Sequence, residues 1–158
     1  MIAADEFFKE KEYERARDRY KAVLEKNSKD LYAKKQYDSC VAELNRLPTE
    51  AEWEFASRGG NYSRGYKFSG SNNMDSVAWH WKNSKRKTHV IGSLTPNELG
   101  IYDMNGNIWE WCSDLYGLYN SAYQTNPKGA SSGSRRVRRG AIHSYKVYIR
   151  VLKNFLAS

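Results

Sequence analysis

After Asp114 the chain has no acidic residue. Its 158 residues carry 26 Lys and Arg against 18 Asp and Glu, a formal net charge of +8. The whole excess lies in residues 115–158, on Lys128, Arg135, Arg136, Arg138, Arg139, Lys146, Arg150 and Lys153. A block of one sign raises an anionic partner, nucleic acid first. No helix-turn-helix or aromatic RNA-binding motif accompanies the charge, so nucleic acid is not the expected partner.

Cysteine is also scarce. Cys40 and Cys112 stand far apart in unlike contexts, which excludes a disulfide framework. His80, His89 and His143 fall at no zinc-type spacing with them. No apolar run reaches the ~18–20 residues of a membrane-spanning helix. The opening MIAADEFFKEKEY is charged within five residues and has no apolar stretch, unlike a secretory signal. The expected location is cytoplasmic for the chain as it stands, and extracellular or at the surface if a leader precedes it. Aromatics make up 14% of the residues, which disordered chains rarely reach, so most of the chain is expected to fold.

Residues 1–46 contain neither Gly nor Pro; all eleven glycines and all three prolines follow. A helical first part and a loop-rich second part are the direct reading. Phe7 and Phe8 precede Tyr13, Ala16, Tyr20 and Val23, whose steps of three and four make one helical stripe. Asn27-Ser28-Lys29-Asp30 breaks the helix and caps the next one. That second helix is expected over about 31–44, with Tyr37, Val41 and Leu44 inward. KEYERARDRYKAVLEKNS resembles the second helix of a tetratricopeptide repeat, through Tyr13, Ala16, Tyr20 and Val23. One and a half repeats cannot bury a solenoid core alone. Residues 1–45 therefore read as a tetratricopeptide-like segment, either an amphipathic hairpin or an arm that binds a protein.

From Arg46 the texture changes. LPTEAEWEFAS places Pro48 at a helix start with the capping pattern Thr49-x-x-Glu52. Ala51, Phe55 and Trp53 are expected to face a core, and Gly59-Gly60 ends the helix. NYSRGYKFSGSNNMDS reads as an ordered irregular loop, THVIGSL as a short strand, and RRVRRG as a strand with Val137 inward. In GIYDMNGNIWEW, Asn105-Gly106-Asn107 is a tight turn where positive φ is readily reached. Trp109 and Trp111 share one face of a strand, with Glu110 on the other. Indoles at that spacing more often pack a core than form a ligand platform. Asp103, Asn105, Asn107 and Glu110 bring together the hard oxygen donors that Ca²⁺ takes in sets of six to eight. An Asx turn beside a salt-bridging glutamate reads equally from the same residues.

Taken together, RLPTEAEWEFASRGG, PNELGIYDMNGNIWEWCSDLYG, NPKG and SRRVRRG resemble the formylglycine-generating enzyme (sulfatase-modifying factor) family. The likeness assigns residues 46–158 to such a domain and is clearest over 46–140, about three-fifths of the chain. It implies an α+β, C-type-lectin-like fold: long loops, little regular structure and small sheets. It also implies a structural calcium held by the side chains of Asp103 and Glu110 and the carbonyl oxygens of Gly106 and Ile108.

The catalytic members oxidise a sulfatase cysteine, using a copper-binding cysteine pair a few residues beyond an RGGS motif. Here Ala141 and Ile142 follow RRVRRG, and no cysteine follows Cys112. A soft thiolate pair is what Cu(I) requires, so copper and the oxidase activity are disfavoured. The same strand and fold serve variable proteins diversified by retroelements, which bind ligands through a face near the C-terminus. That likeness makes His143, Ser144, Tyr145 and Tyr148 candidate face residues. The expected function is thus a non-catalytic module that binds a protein or small ligand, with a formylglycine-generating oxidase as the alternative.

Overall fold

The computed structural model describes residues 12–119, 122 and 124–140, together with the backbone of 155–156. They fall into two compact units divided between Arg46 and Leu47.

The first unit is a helical hairpin of α1 (Tyr13–Lys26) and α2 (Leu31–Asn45). Asp30 caps α2 by accepting from the Ala33 N–H at 2.9 Å, as the break at 27–30 predicts. Ala16, Tyr20, Ala33 and Cys40 form its core, and Val23, Leu24 and Tyr37 pack against them. Two alanines at the contact let the helix axes approach closely. The inward stripe of α2 is Ala33, Tyr37 and Cys40, not Tyr37, Val41 and Leu44. Val41 lies one position off that stripe and is half-buried, and Leu44, at the last turn, is exposed. Phe7 and Phe8 lie outside the described residues.

The second unit is built on α3 (Glu50–Ser57) and on β1 (Trp109–Leu115), β2 (Gln124–Thr125), β3 (Arg136–Gly140) and β4 (Phe155–Leu156). β1 pairs antiparallel with β3 in the register Trp109↔Gly140, Glu110↔Arg139, Trp111↔Arg138 and Leu115↔Arg136, with an irregularity between Trp111 and Leu115. β2 and β4 pair in parallel. Alternation along the main sheet sends Glu110, Cys112 and Asp114 inward from β1 and Val137 and Arg139 inward from β3. Trp53, Met104, Cys112 and Val137 form the core of this unit, with Ala56 packed against it. α3 begins with both bonds of the capping box: Glu52 N–H to Thr49 Oγ1 at 3.1 Å and Thr49 N–H to Glu52 Oε2 at 2.8 Å. It ends before Gly59, which takes φ 88°. Ala51 and Trp53 are buried and Phe55 is half-buried.

The residues between α3 and β1 contain two short 3₁₀ turns, Gly60–Tyr62 and Met74–Ser76, and otherwise irregular backbone. Buried backbone groups still need partners, and asparagine side chains supply them. The Asn107 amide accepts from His89 N–H at 2.9 Å and donates to His89 O at 3.0 Å, the exchange that a neighbouring strand would make. Asn97 donates to Ala56 O at 2.7 Å and to Ser69 Oγ at 3.1 Å, and accepts from the Leu99 and Ile101 N–H groups. Asn105 accepts from Ser69 N–H at 2.5 Å. THVIGSL is accordingly no strand: this network holds the segment in turns, and Val90 and Ile91 are exposed.

At Asn105-Gly106-Asn107 the positive φ falls on Asn107 (66°) and, just before, on Asp103 (61°), not on the glycine. Gly106 is needed for space instead, since a Cβ there would lie 2.4 Å from the Trp79 carbonyl oxygen. That oxygen accepts the Asn107 N–H at 2.8 Å, so it cannot withdraw without breaking the turn. Gly106→Ala is expected to destabilise this unit by about 2–4 kcal/mol, the range of overpacking combined with a lost buried bond. Urea unfolding followed by tryptophan fluorescence measures it.

Candidate functional site

α3 is fastened to the sheet along one side by four acidic groups and one arginine. At its first turn, Asp114 accepts from the Glu50 N–H at 2.8 Å, placing a carboxylate where the helix dipole favours one. One turn on, the Trp53 indole N–H donates to Glu110 Oε2 at 2.5 Å. Arg139, from β3, reaches both Glu54 and Glu50; its Nη1 lies 3.3 Å from Glu50 Oε1, and its guanidinium stands 4.8 Å from the centre of the Trp53 ring. Arg58 Nε makes a 2.7 Å ion pair with Glu54, and Tyr119 OH donates to Glu50 at 2.5 Å. Glu50, Glu54 and Arg139 are all buried. A buried charge is tolerable only when matched in this way. Sequence reading missed this cluster. The i, i+4 spacing of Glu50 and Glu54 was the available signal, but it also fits a solvated helix face.

The other face of the sheet is open. Trp109 and Trp111 are 37% and 52% exposed, so the expectation that they pack a core is corrected. The face that meets α3 is taken by Glu110, Cys112 and Asp114, which leaves both indoles outside. The Arg138 guanidinium lies 5.4 Å from the centre of each ring, a cation–π bridge across the two strands. Beside it, a solvent-open cleft enclosing about 70 Å³ is lined by residues that include Trp53, Glu54, Arg58, Lys67, Trp109, Arg138 and Arg139.

The oxygen-rich loop before β1 has a specific geometry. Asp103 Oδ2 accepts the Gly92 N–H at 2.9 Å, whereas its Oδ1 is buried with no hydrogen-bond partner. The Gly106 carbonyl accepts the Ile108 N–H at 2.8 Å. Glu110 gives Oε2 to Trp53. Among the described residues no three His, Cys, Asp or Glu side chains gather as a metal site, so an ion here would need carbonyl oxygens as well as the two carboxylates. The orphaned Asp103 oxygen fits such a ligand.

Cys112 is fully buried, and its pKa is pushed up to about 12, first by burial and then by the charges of Glu50, Asp114 and Glu110. It is a protonated thiol at neutral pH. Cys40 belongs to the other unit, is also buried, and its pKa is likewise raised by burial.

Residues 11–154 match the model of the sulfatase-modifying factor enzyme 1-like domain. The chain belongs to this family. It is 37% identical over 116 residues to the formylglycine-generating enzyme of Bos taurus, covering 64% of this chain and 30% of the relative. It is 45% identical over 84 residues to the chaperone protein LppX of Paenibacillus barcinonensis, covering 42% of this chain and 30% of that protein. The chain thus spans about a third of the length of these curated relatives. Among solved structures it resembles Treponema denticola variable protein 1, with a TM-score of 0.57 and 39% identity over 65% of this chain and 37% of that one.

The family match begins at residue 11, well upstream of the stretch in which its motifs are legible by eye. The likeness of the hairpin to a tetratricopeptide repeat rests on its sequence alone. His143, Ser144, Tyr145 and Tyr148 lie outside the described residues, as do Ala141 and Ile142.

The raised pKa of Cys112 has a consequence for stability. The unfolded thiol titrates near its ordinary value of 9.0 while the folded one keeps its proton until about 12. Between these values the unfolded chain binds fewer protons, so stability falls as pH rises, by up to about 1.4 kcal/mol per pH unit. Urea midpoints at pH 8, 9 and 10 are expected to fall more steeply for the wild type than for Cys112→Ala.

Proposed function

We propose that the unit from Leu47 onward is a non-catalytic ligand-binding module of the sulfatase-modifying factor family. The single observation that carries this reading is that residues 141–158, where the family's copper-binding pair would follow RRVRRG, hold no cysteine. Cys112, on the inner face of β1, offers no substitute: it is buried, and its surroundings raise its pKa and disfavour the thiolate. The open cleft with its rim of tryptophan and arginine supports a binding role. The likeness to a variable protein supports a role of that kind, and a retroelement-diversified variable protein is the specific form proposed. His143, Ser144, Tyr145 and Tyr148 are proposed as residues of its binding face, for a protein or a small ligand. The helical hairpin is proposed as a protein-binding arm.

The test supplies Cu(I), oxygen and a cysteine-containing sulfatase peptide to the purified chain and follows oxygen uptake and peptide mass. No oxygen consumption and no aldehyde product are expected. Turnover would establish the alternative, a formylglycine-generating oxidase.

Calcium is proposed as a structural ligand, held by the side chains of Asp103 and Glu110 and the carbonyls of Gly106 and Ile108. When bound, it would supply the counter-charge that the Asp103 Oδ1 lacks. Millimolar calcium is expected to raise the melting temperature by several degrees, which EDTA reverses. Glu110→Gln keeps an acceptor for the Trp53 indole but removes the charge, and is expected to lose most of that rise. An equal rise in the variant would remove Glu110 from the ligand set.

A further inference from the structure

The cleft beside β3 has a charge imbalance that its own residues do not correct. Four cations line it, Arg58, Lys67, Arg138 and Arg139, against one acid, Glu54. Arg58 and Arg139 are both committed to that acid, and Arg139 also to Glu50. Among the described residues neither Arg138 nor Lys67 makes an ion pair. The Arg138 guanidinium lies 5.4 Å from the ring centres of Trp109 and Trp111, and the Lys67 ammonium 5.4 Å from that of Phe68. A cation resting on a ring keeps its N–H donors free. Residues 115–158 contain no Asp or Glu.

We infer that this cleft binds a small organic oxyanion, with the anionic group held by Arg138 and Lys67 and a flat apolar body against Trp109. The inference rests on the reading of this unit as a binding module and specifies the chemistry it takes. The space the cleft encloses is small, about 70 Å³, and the rest is open to solvent, which suits a compact ligand held partly exposed. The guanidinium fork suits a carboxylate or phosphate. The cluster behind it keeps the cleft in shape, because Arg139 and Glu54 form part of its lining as well as of the clamp on α3. A long polyanion is not the expected occupant, since both of these cations line one cleft.

Isothermal titration calorimetry with phenyl phosphate, inorganic phosphate and benzyl alcohol separates the contributions. Phenyl phosphate is expected to bind saturably, inorganic phosphate more weakly, and benzyl alcohol not measurably. Arg138→Gln and Lys67→Gln, with melting temperatures confirming their fold, are each expected to weaken phenyl phosphate roughly tenfold or more, the scale of a charge-assisted hydrogen bond. Arg135→Gln, whose guanidinium lies over Tyr116, is expected to leave affinity unchanged. No saturable binding to the folded protein, unchanged affinity in the two cleft variants, or equal affinity for benzyl alcohol would each overturn the inference. Tight benzyl alcohol binding lost in Trp109→Ala would overturn the anion assignment while leaving the binding-module reading intact. Oxidase turnover would remove that reading without bearing on the anion. A duplex DNA that binds more tightly than phenyl phosphate and weakens equally in Arg135→Gln would overturn the pocket in favour of a surface track.

Discussion

The second unit depends on the buried ion cluster that joins Arg139 to Glu54 and Glu50. Among the described residues this unit has one eight-residue helix and a sheet of two main strands, so regular hydrogen bonding orders only a small share of them. α3 and β3 are distant in sequence, so ordering one against the other costs chain entropy that local structure cannot offset. The arginine makes that connection directional. Its charge is desolvated against two carboxylates and the face of Trp53, and removing it leaves Glu50 buried with only neutral donors and Glu54 with Arg58 alone. Asp114 and Glu110 repeat the logic at lower charge, each tying β1 to a different turn of α3. Four contacts thus set the position of one helix against two strands, and the hydrophobic cluster of Trp53, Met104, Cys112 and Val137 fills the space between.

From this frame the rest follows by exclusion. Because the inner face of β1 carries Glu110, Cys112 and Asp114, its indoles have nowhere to go but outward, where Arg138 bridges them. Because Cys112 is enclosed by carboxylates and apolar side chains, its thiolate is disfavoured and its side chain packs in the core. The irregular stretch from Gly59 to Ile108 is ordered by amide side chains that mimic backbone partners, Asn97, Asn105 and Asn107 above all. Long loops of this kind are common where binding is carried on a rigid base.

The parts of this architecture that were legible in the sequence are those with local causes. The capping box at Thr49 and Glu52, the glycine stop at Gly59, the cap at Asp30 and the alternation that buries Val137 all act within a few residues, so spacing reveals them. The family likeness was legible because its motifs are long and ordered. What sequence reading missed depends on contacts between distant segments. Glu50 and Glu54 look like a solvated helix face until Arg139 is placed against them. Trp109 and Trp111 look like core until the opposite face of their strand is known to be taken. Gly106 looks like a positive-φ glycine until the Trp79 carbonyl is found where its side chain would stand. The basic block after Asp114 changes meaning in the same way. Arg139 is consumed by the fold, and Arg138 becomes a feature of one cleft, so a uniform run of charge divides into different roles.

A double-mutant cycle between Arg139 and Glu54 tests the central claim most directly. Arg139→Met and Glu54→Leu are each predicted to cost about 3–5 kcal/mol in urea unfolding, the scale of a broken buried pair. The double variant is predicted to cost less than the sum by 2 kcal/mol or more, roughly. Additivity to within about 0.5 kcal/mol would contradict the account, because it would mean that helix and strand are held together without this interaction.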